Sequence, residues 1–108
     1  MKKIPQLNQE DGEGGTAVIT RKKIAIPKKY KVLLHNDDYT TMEFVIFILQ
    51  SVFHKNIEEA ENIMMEVHKK GIGVCGLYTF EIAETKAMKV KSLAKSHGHP
   101  LECTIEQE

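Results

Sequence analysis

The stretch "YKVLLHNDDYTTMEFV", residues 30–45, decides the first two elements of the fold. Its first part, residues 30–36, is short and rich in residues that favour strands, and turn-forming residues follow it, which predicts a β-strand. A helix is predicted next, over residues 41–53, because apolar residues recur there at helical spacing. Thr40 is predicted as its N-cap, and Glu43, three residues later, would complete a capping box.

The rest of the chain predicts two more helices and two more strands. Asn56 can cap a second helix with Glu59 at the capping-box position, and Gly71 is placed to end that helix. A strand over "GIGVCGLYTF", a helix from about 82 to 96 and a strand over "LECTI" follow in that order. The order β-α-α-β-α-β predicts an α+β fold, in which a three-stranded antiparallel sheet packs against three helices.

Length and composition predict one soluble, cytoplasmic domain that acts as a monomer. Residues 1–28 are expected to form a flexible tail because their composition is polar and glycine-rich, and residues 29–108 to form the core domain. Fifteen basic and fifteen acidic residues balance, which gives no general attraction to nucleic acid or to an anionic membrane. The two cysteines, Cys75 and Cys103, form no CxxC motif and suggest a reducing compartment. The longest apolar run, residues 44–49, is too short to cross a bilayer.

The loop between the first strand and the first helix contains Asn36, Asp37 and Asp38, and two interpretations of it compete. Acids and Asn are favoured at a helix start, where the helix dipole and free amides stabilise them. Two acids and an Asn exceed what one helix start needs, and together they could accept several hydrogen bonds from one ammonium group. The spacing required for an EF-hand, an HExxH zinc site or a G-x-S-x-G nucleophile is absent, so we expect no metal, no cofactor and no catalytic residue.

Two apolar pairs with helical spacing leave a similar choice open. Met64 and Val67 lie beside His68 on one edge of the second predicted helix, and Met42 and Val45 lie one turn apart on the first. Core packing explains both pairs. Alternatively, the pairs are opposite walls of a groove that suits an apolar side chain carrying a nearby amine.

At these residues the chain resembles a known family. The segments "YKVLLHNDDYTTMEFV", "MMEVHKKGIGVCG", "EIAETK" and "HPLECTIE" are similar to ClpS, the adaptor of the bacterial Clp protease that recognises N-degrons, and the match runs from about residue 30 to 106. The resemblance implies an adaptor without enzymatic activity. It would bind proteins whose first residue is Leu, Phe, Tyr or Trp and deliver them to the N-terminal domain of a Clp ATPase of the ClpA or ClpC type.

The resemblance also implies roles for individual residues, with Met42 as a gate that excludes β-branched side chains and the tail as an aid to delivery. The free α-amino group would be bound by Asn36, Asp37 and His68. The side-chain pocket would be lined or shaped by Asp38, Thr40, Met42, Val45, Met64, Val67 and Leu101. The ATPase would be contacted in the region of Glu81, Glu84 and Lys86.

Two positions depart from the family pattern, and two other functions compete with the adaptor. Thr41 stands where many relatives have Pro, and Phe47 replaces a more polar residue, so that it either touches a partner or packs within the domain. A structural or ribosome-associated module of the same shape would need no amine site. A small hydrolase would depend on Asp37 or Cys75, although no nucleophile–base pair is evident in the sequence.

Overall fold

A computed structural model of the protein describes residues 26–108 and shows the predicted β-α-α-β-α-β order. Most of the predicted tail therefore lies outside the described residues. Within residues 26–108, no helix is long and apolar enough to cross a membrane. The elements are β1 (Lys29–His35), α1 (Met42–Ser51), α2 (Ile57–Lys70), β2 (Ile72–Thr79), α3 (Phe80–Ser96) and β3 (Glu102–Gln107).

The three strands form one antiparallel sheet in the order β2-β1-β3, with β1 in the centre. Val32 and Leu34 of β1 are fully buried in the main core, which also contains residues of all three helices. Leu33 points to the other face, as strand alternation requires. Between Val32 and Leu33 the pairing with β2 shifts by one residue, which leaves Cys75 as the extra residue of a β-bulge.

The start of α1 differs from the prediction. Thr41, and not Thr40, is the N-cap: its Oγ1 accepts a hydrogen bond from the Phe44 amide at 3.1 Å. Thr40 is one residue too early because its own hydroxyl donates to Asp37 at 2.7 Å. Thr41 therefore supplies a side-chain acceptor that a proline would lack.

Both predicted ends of α2 are confirmed. The side chain of Asn56 accepts from the Glu59 amide while the Glu59 carboxylate accepts from the Asn56 amide, which completes the capping box. Gly71 ends the helix in the left-handed conformation, with φ of 86°. The following strand then passes so close to α2 that a Cβ at Gly73 would lie 2.6 Å from Val67 Cγ2.

The turn after α1 is closed by a contact from another helix. Val52 is the C-cap of α1, the Lys55 amide donates to the Leu49 carbonyl at 3.0 Å, and His54 between them has a φ of 57°. The Val52 carbonyl accepts from Lys86 Nζ of α3 at 2.8 Å. The same ammonium lies over the rings of Phe53 and Tyr78, at 5.8 and 5.2 Å from their centroids.

Phe47 packs within the domain although part of it stays accessible. Its ring lies 5.9 Å from Phe44 and 5.9 Å from His97, and 43% of the residue remains exposed. One part of the Phe47 side chain therefore packs within the domain, and the other part stays accessible to solvent.

Candidate functional site

The loop from β1 to α1 is fixed to α2 and closed by its own aspartate. The Asn36 amide donates to the carbonyl of Gly71 at 3.0 Å, which ties the start of the loop to the end of α2. Asp37 Oδ1 accepts from the amides of Tyr39 and Thr40 at 2.8 and 2.7 Å. Asp37 Oδ2 accepts from the Thr40 hydroxyl at 2.7 Å. These contacts hold the carboxylate in one orientation before any ligand arrives.

The surroundings of Asp37 favour its charged form. Partial burial on its own would raise the pKa of this carboxyl. The hydrogen bonds from Thr40 and Tyr39, with a contribution from the charge of His99, outweigh that effect and hold the pKa below its ordinary value. An ionised carboxylate offers about four acceptor sites, so three hydrogen bonds leave room for a cationic donor.

Beside this loop lies an open cavity of about 260 Å³, which we call the recognition pocket. The loop forms its polar end, α1 forms one apolar wall and α2 forms the other, with His68 on the α2 side. The α2 wall is kept close to the loop by the contact between Asn36 and Gly71. The pocket is lined by Asn36, Asp37, Asp38, Thr40, Met42, Val45, Met64, Val67 and His68.

Core packing and pocket lining turn out to be compatible for three of the four apolar residues. Val45, Met64 and Val67 belong to the buried core and also line the recognition pocket. Met42, in the first turn of α1, is 43% exposed and lies at the accessible side of the apolar wall. The pocket therefore combines three buried apolar residues with one partly exposed methionine, a side chain that adapts readily to its neighbours.

Leu101 is the one predicted pocket residue that is not among the lining residues. It is only 6% exposed and belongs to the buried core. It borders a different, shallower depression at the end of α3, together with Lys91 and Lys95. Its predicted contact with a bound side chain remains a prediction.

The residues expected to contact the ATPase lie on one helix and differ in exposure. Glu81 and Glu84 are exposed, one turn apart near the start of α3. Lys86 is half-buried and its ammonium is bound to Val52. Neither this contact nor the tie between Asn36 and Gly71 could be predicted from the sequence, because both depend on the tertiary fold.

The thiols are unsuited to nucleophilic chemistry. Burial, reinforced by the nearby Cys103, raises the pKa of Cys75 far above its ordinary value, and Cys75 is fully buried. Burial also raises the pKa of Cys103 to about 12. Among residues 26–108, no group of three His, Cys, Asp or Glu residues is arranged to hold a metal ion.

Comparisons with known proteins agree in one family. The family model described as "ATP-dependent Clp protease adaptor protein ClpS" matches residues 25–104. A protein of Parvibaculum lavamentivorans named ATP-dependent Clp protease adapter protein ClpS is 54% identical over 101 residues, covering 92% of each chain. A protein of the same name from Hyphomonas neptunium is 52% identical over 104 residues, covering 95% of this chain and 88% of the relative.

A solved structure is also similar. It is that of Agrobacterium tumefaciens ClpS2 bound to L-phenylalaninamide, with a TM-score of 0.74 and 43% sequence identity. The match covers 77% of this chain and the whole of that one.

Proposed function

Because the chain belongs to the ClpS family of ATP-dependent Clp protease adaptor proteins, we propose that its recognition pocket holds the first residue of the proteins it delivers. The protein is an adaptor and not an enzyme. It would bind proteins that begin with a free N-terminal Leu, Phe, Tyr or Trp and bring them to the Clp protease.

One observation supports this proposal above the others: a single cavity joins a polar, anionic end to an apolar one. At the polar end, the amine would be bound by Asn36, Asp37 and His68. Asp37 supports this role because it stays ionised and keeps acceptor capacity towards a cation. A neutral imidazole at His68 can accept a further hydrogen bond from the same ammonium.

The apolar end would hold the first side chain. Met42 and Val45 on α1 and Met64 and Val67 on α2 would enclose it, while Asp38 and Thr40 shape the rim. Leu101 would act from behind the pocket, as part of the same buried core. L-phenylalaninamide, the molecule bound to the Agrobacterium protein, carries both a free amine and an apolar side chain, which is the combination that this pocket would accept.

The energies of the two ends favour recognition of both groups together. Burying a Leu or Phe side chain contributes about 1.5–3 kcal/mol. Each hydrogen bond to a charged amine contributes about 1.5–3 kcal/mol. Neither contribution alone exceeds the cost of association, so an apolar side chain without a free amine should bind weakly. A cavity of about 260 Å³ suits one side chain rather than a larger ligand.

Contact with the N-terminal domain of a ClpA-type or ClpC-type ATPase would involve the start of α3. Glu81 and Glu84 support this role because they are exposed on one face of the helix. Lys86 would belong to the same contact region, with its ammonium bound to Val52 and part of its side chain accessible. We assign the predicted role in delivery to the N-terminal segment, and place the activity in the cytoplasm, where the free thiols of Cys75 and Cys103 would stay reduced.

The test is a titration with peptides that differ only at the first residue. Leu-first and Phe-first peptides should bind, whereas Ile-first and acetyl-Leu-first peptides should bind at least about tenfold more weakly. The acetylated peptide keeps the side chain and removes the charge and the donors of the amine. Equal binding of all four peptides would contradict the proposed function.

A further inference from the structure

We propose that His99 is a positioning residue of the recognition pocket, whose imidazole holds the first turn of α1 in the place required for binding. The inference rests on the proposed function and adds a residue to it. His99 does not line the recognition pocket and would act through the residues that do.

The ring of His99 stacks directly on the first turn of α1. Its centroid lies 4.3 Å from that of Phe44, with an angle of 28° between the planes. Phe44 is only 6% exposed, and its amide binds the N-cap Thr41. Its neighbours in the helix, Met42 and Val45, form the α1 wall of the pocket. A shift of Phe44 would therefore move that wall.

The backbone around His99 fixes the position of the imidazole. The His99 amide donates to the carbonyl of Ala94 at 2.8 Å, which anchors the residue to the end of α3. Gly98 turns the chain with a φ of 76°, a conformation that favours glycine. Pro100 follows with a restricted φ, and Leu101 is buried in the core. The backbone before and after His99 is therefore fixed, so the imidazole can keep the first turn of α1 in place.

The polar end of the pocket is also influenced by His99. The charge of this residue is one of the causes that favour the ionised form of Asp37. The described residues contain no ion pair between the two side chains, so this influence acts over a longer distance. His99 thus affects the apolar wall through its contact with Phe44, and the acid that would meet the amine through its charge.

His97 provides a matched control on the same loop. Its ring also approaches Phe44, but at 5.4 Å and with a tilt of 43°, and the residue is exposed. His97 should therefore contribute less to the position of the first turn.

The experiment compares His99→Phe, His99→Leu and His97→Leu in the full chain. Phe and Leu both fill the space of the imidazole, but only Phe can stack. His99→Leu should weaken Leu-first binding about 2- to 12-fold, the range expected for losing an aromatic pair. The affinity of His99→Phe for the Leu-first peptide should lie within about twofold of that of the wild type. The affinity of His97→Leu should lie within the same range.

Two readouts separate positioning from a general loss of stability. His99→Leu should narrow the preference for Leu-first over Ile-first peptides, because a displaced Met42 wall discriminates less. In both His99 variants, the Asp37 carboxyl should titrate at higher pH by NMR than in the wild type. Equal affinities for His99→Phe and His99→Leu, or an unchanged Asp37 titration, would overturn the inference. If the wild type fails to prefer Leu-first over acetyl-Leu-first peptides, the proposed function itself fails, which is a separate outcome.

Discussion

The two ends of α1 are both closed by polar contacts, but the contacts come from different distances along the chain. At the first end, Asp37 accepts all three of its hydrogen bonds from Tyr39 and Thr40, within three residues of itself. At the second end, Val52 accepts from Lys86, which lies 34 residues away. Local closure orients the Asp37 carboxylate, in a loop that the contact between Asn36 and Gly71 holds beside α2. Long-range closure joins the helix to α3.

This difference predicts that binding and stability can be altered separately. The first end contributes Asp37 and Thr40 to the recognition pocket, whereas neither Val52 nor Lys86 lines it. Substitutions at the first end should therefore change peptide affinity most, and substitutions at the second end should change the free energy of unfolding.

The largest effect is expected for Asp37→Ala. Loss of a charge-assisted hydrogen bond to the amine should weaken Leu-first binding about 10- to 150-fold. Isothermal titration with the Leu-first peptide measures this loss. Glu43→Ala is the matched control, since Glu43 is an exposed acid in the first turn of α1 and does not line the recognition pocket. A loss for Glu43→Ala as large as that for Asp37→Ala would show that general negative charge matters, rather than the oriented carboxylate.

Acidification should remove the contribution of Asp37 to stability. Its pKa is lowered in the folded protein, so the ionised carboxylate adds stability that is fully present above the ordinary pKa of the unfolded chain. That stability is lost as the pH falls through the lower pKa of the folded state. The difference in unfolding free energy between the wild type and Asp37→Asn should therefore shrink towards acid pH. Urea titrations at several pH values measure it, and a constant difference would contradict the prediction.

Lys86→Met tests the second end of α1. The variant keeps much of the apolar stem but leaves the Val52 carbonyl without its donor, which should cost about 1 kcal/mol of unfolding free energy. Peptide affinity should stay within about twofold of the wild type. Lys89→Met, an exposed position on the same helix, is the control and should be nearly neutral. Parallel losses of affinity and stability in Lys86→Met would show that the two ends of α1 are coupled.

The sequence predicted those features whose determinants lie within a few residues of one another. The capping box of Asn56 and Glu59 and the stop at Gly71 were confirmed for this reason. The N-cap of α1 was predicted one residue early, because the Thr40 hydroxyl had two possible partners and the sequence could not show that Asp37 would receive it. The contact between Lys86 and Val52 was not predicted, since nothing near Lys86 in sequence pointed to Val52.

The recognition pocket was predicted in a different way. Helical spacing alone left Met42 and Val45 open between core and pocket wall, and the resemblance to a family supplied the roles of the lining residues. The structure gathers nine of the ten residues predicted for the amine and the side chain around one cavity, but not Leu101. Leu101 and His99 follow the turn at Gly98, and the direction of that turn depends on how α3 packs.

The smallest effect is expected at His54, in the turn after α1. Its φ of 57° is a conformation that glycine adopts without the steric cost of a Cβ. Glycine also loses more entropy on folding, so His54→Gly should stabilise the protein by a net of up to about 1 kcal/mol. Thermal and urea unfolding measure the gain. Lys55→Gly, at a neighbouring residue without a positive φ, should instead destabilise by about 0.5–1 kcal/mol. A change in peptide affinity for His54→Gly would mean that strain at this end reaches the recognition pocket, and the separation between the two ends of α1 would then fail.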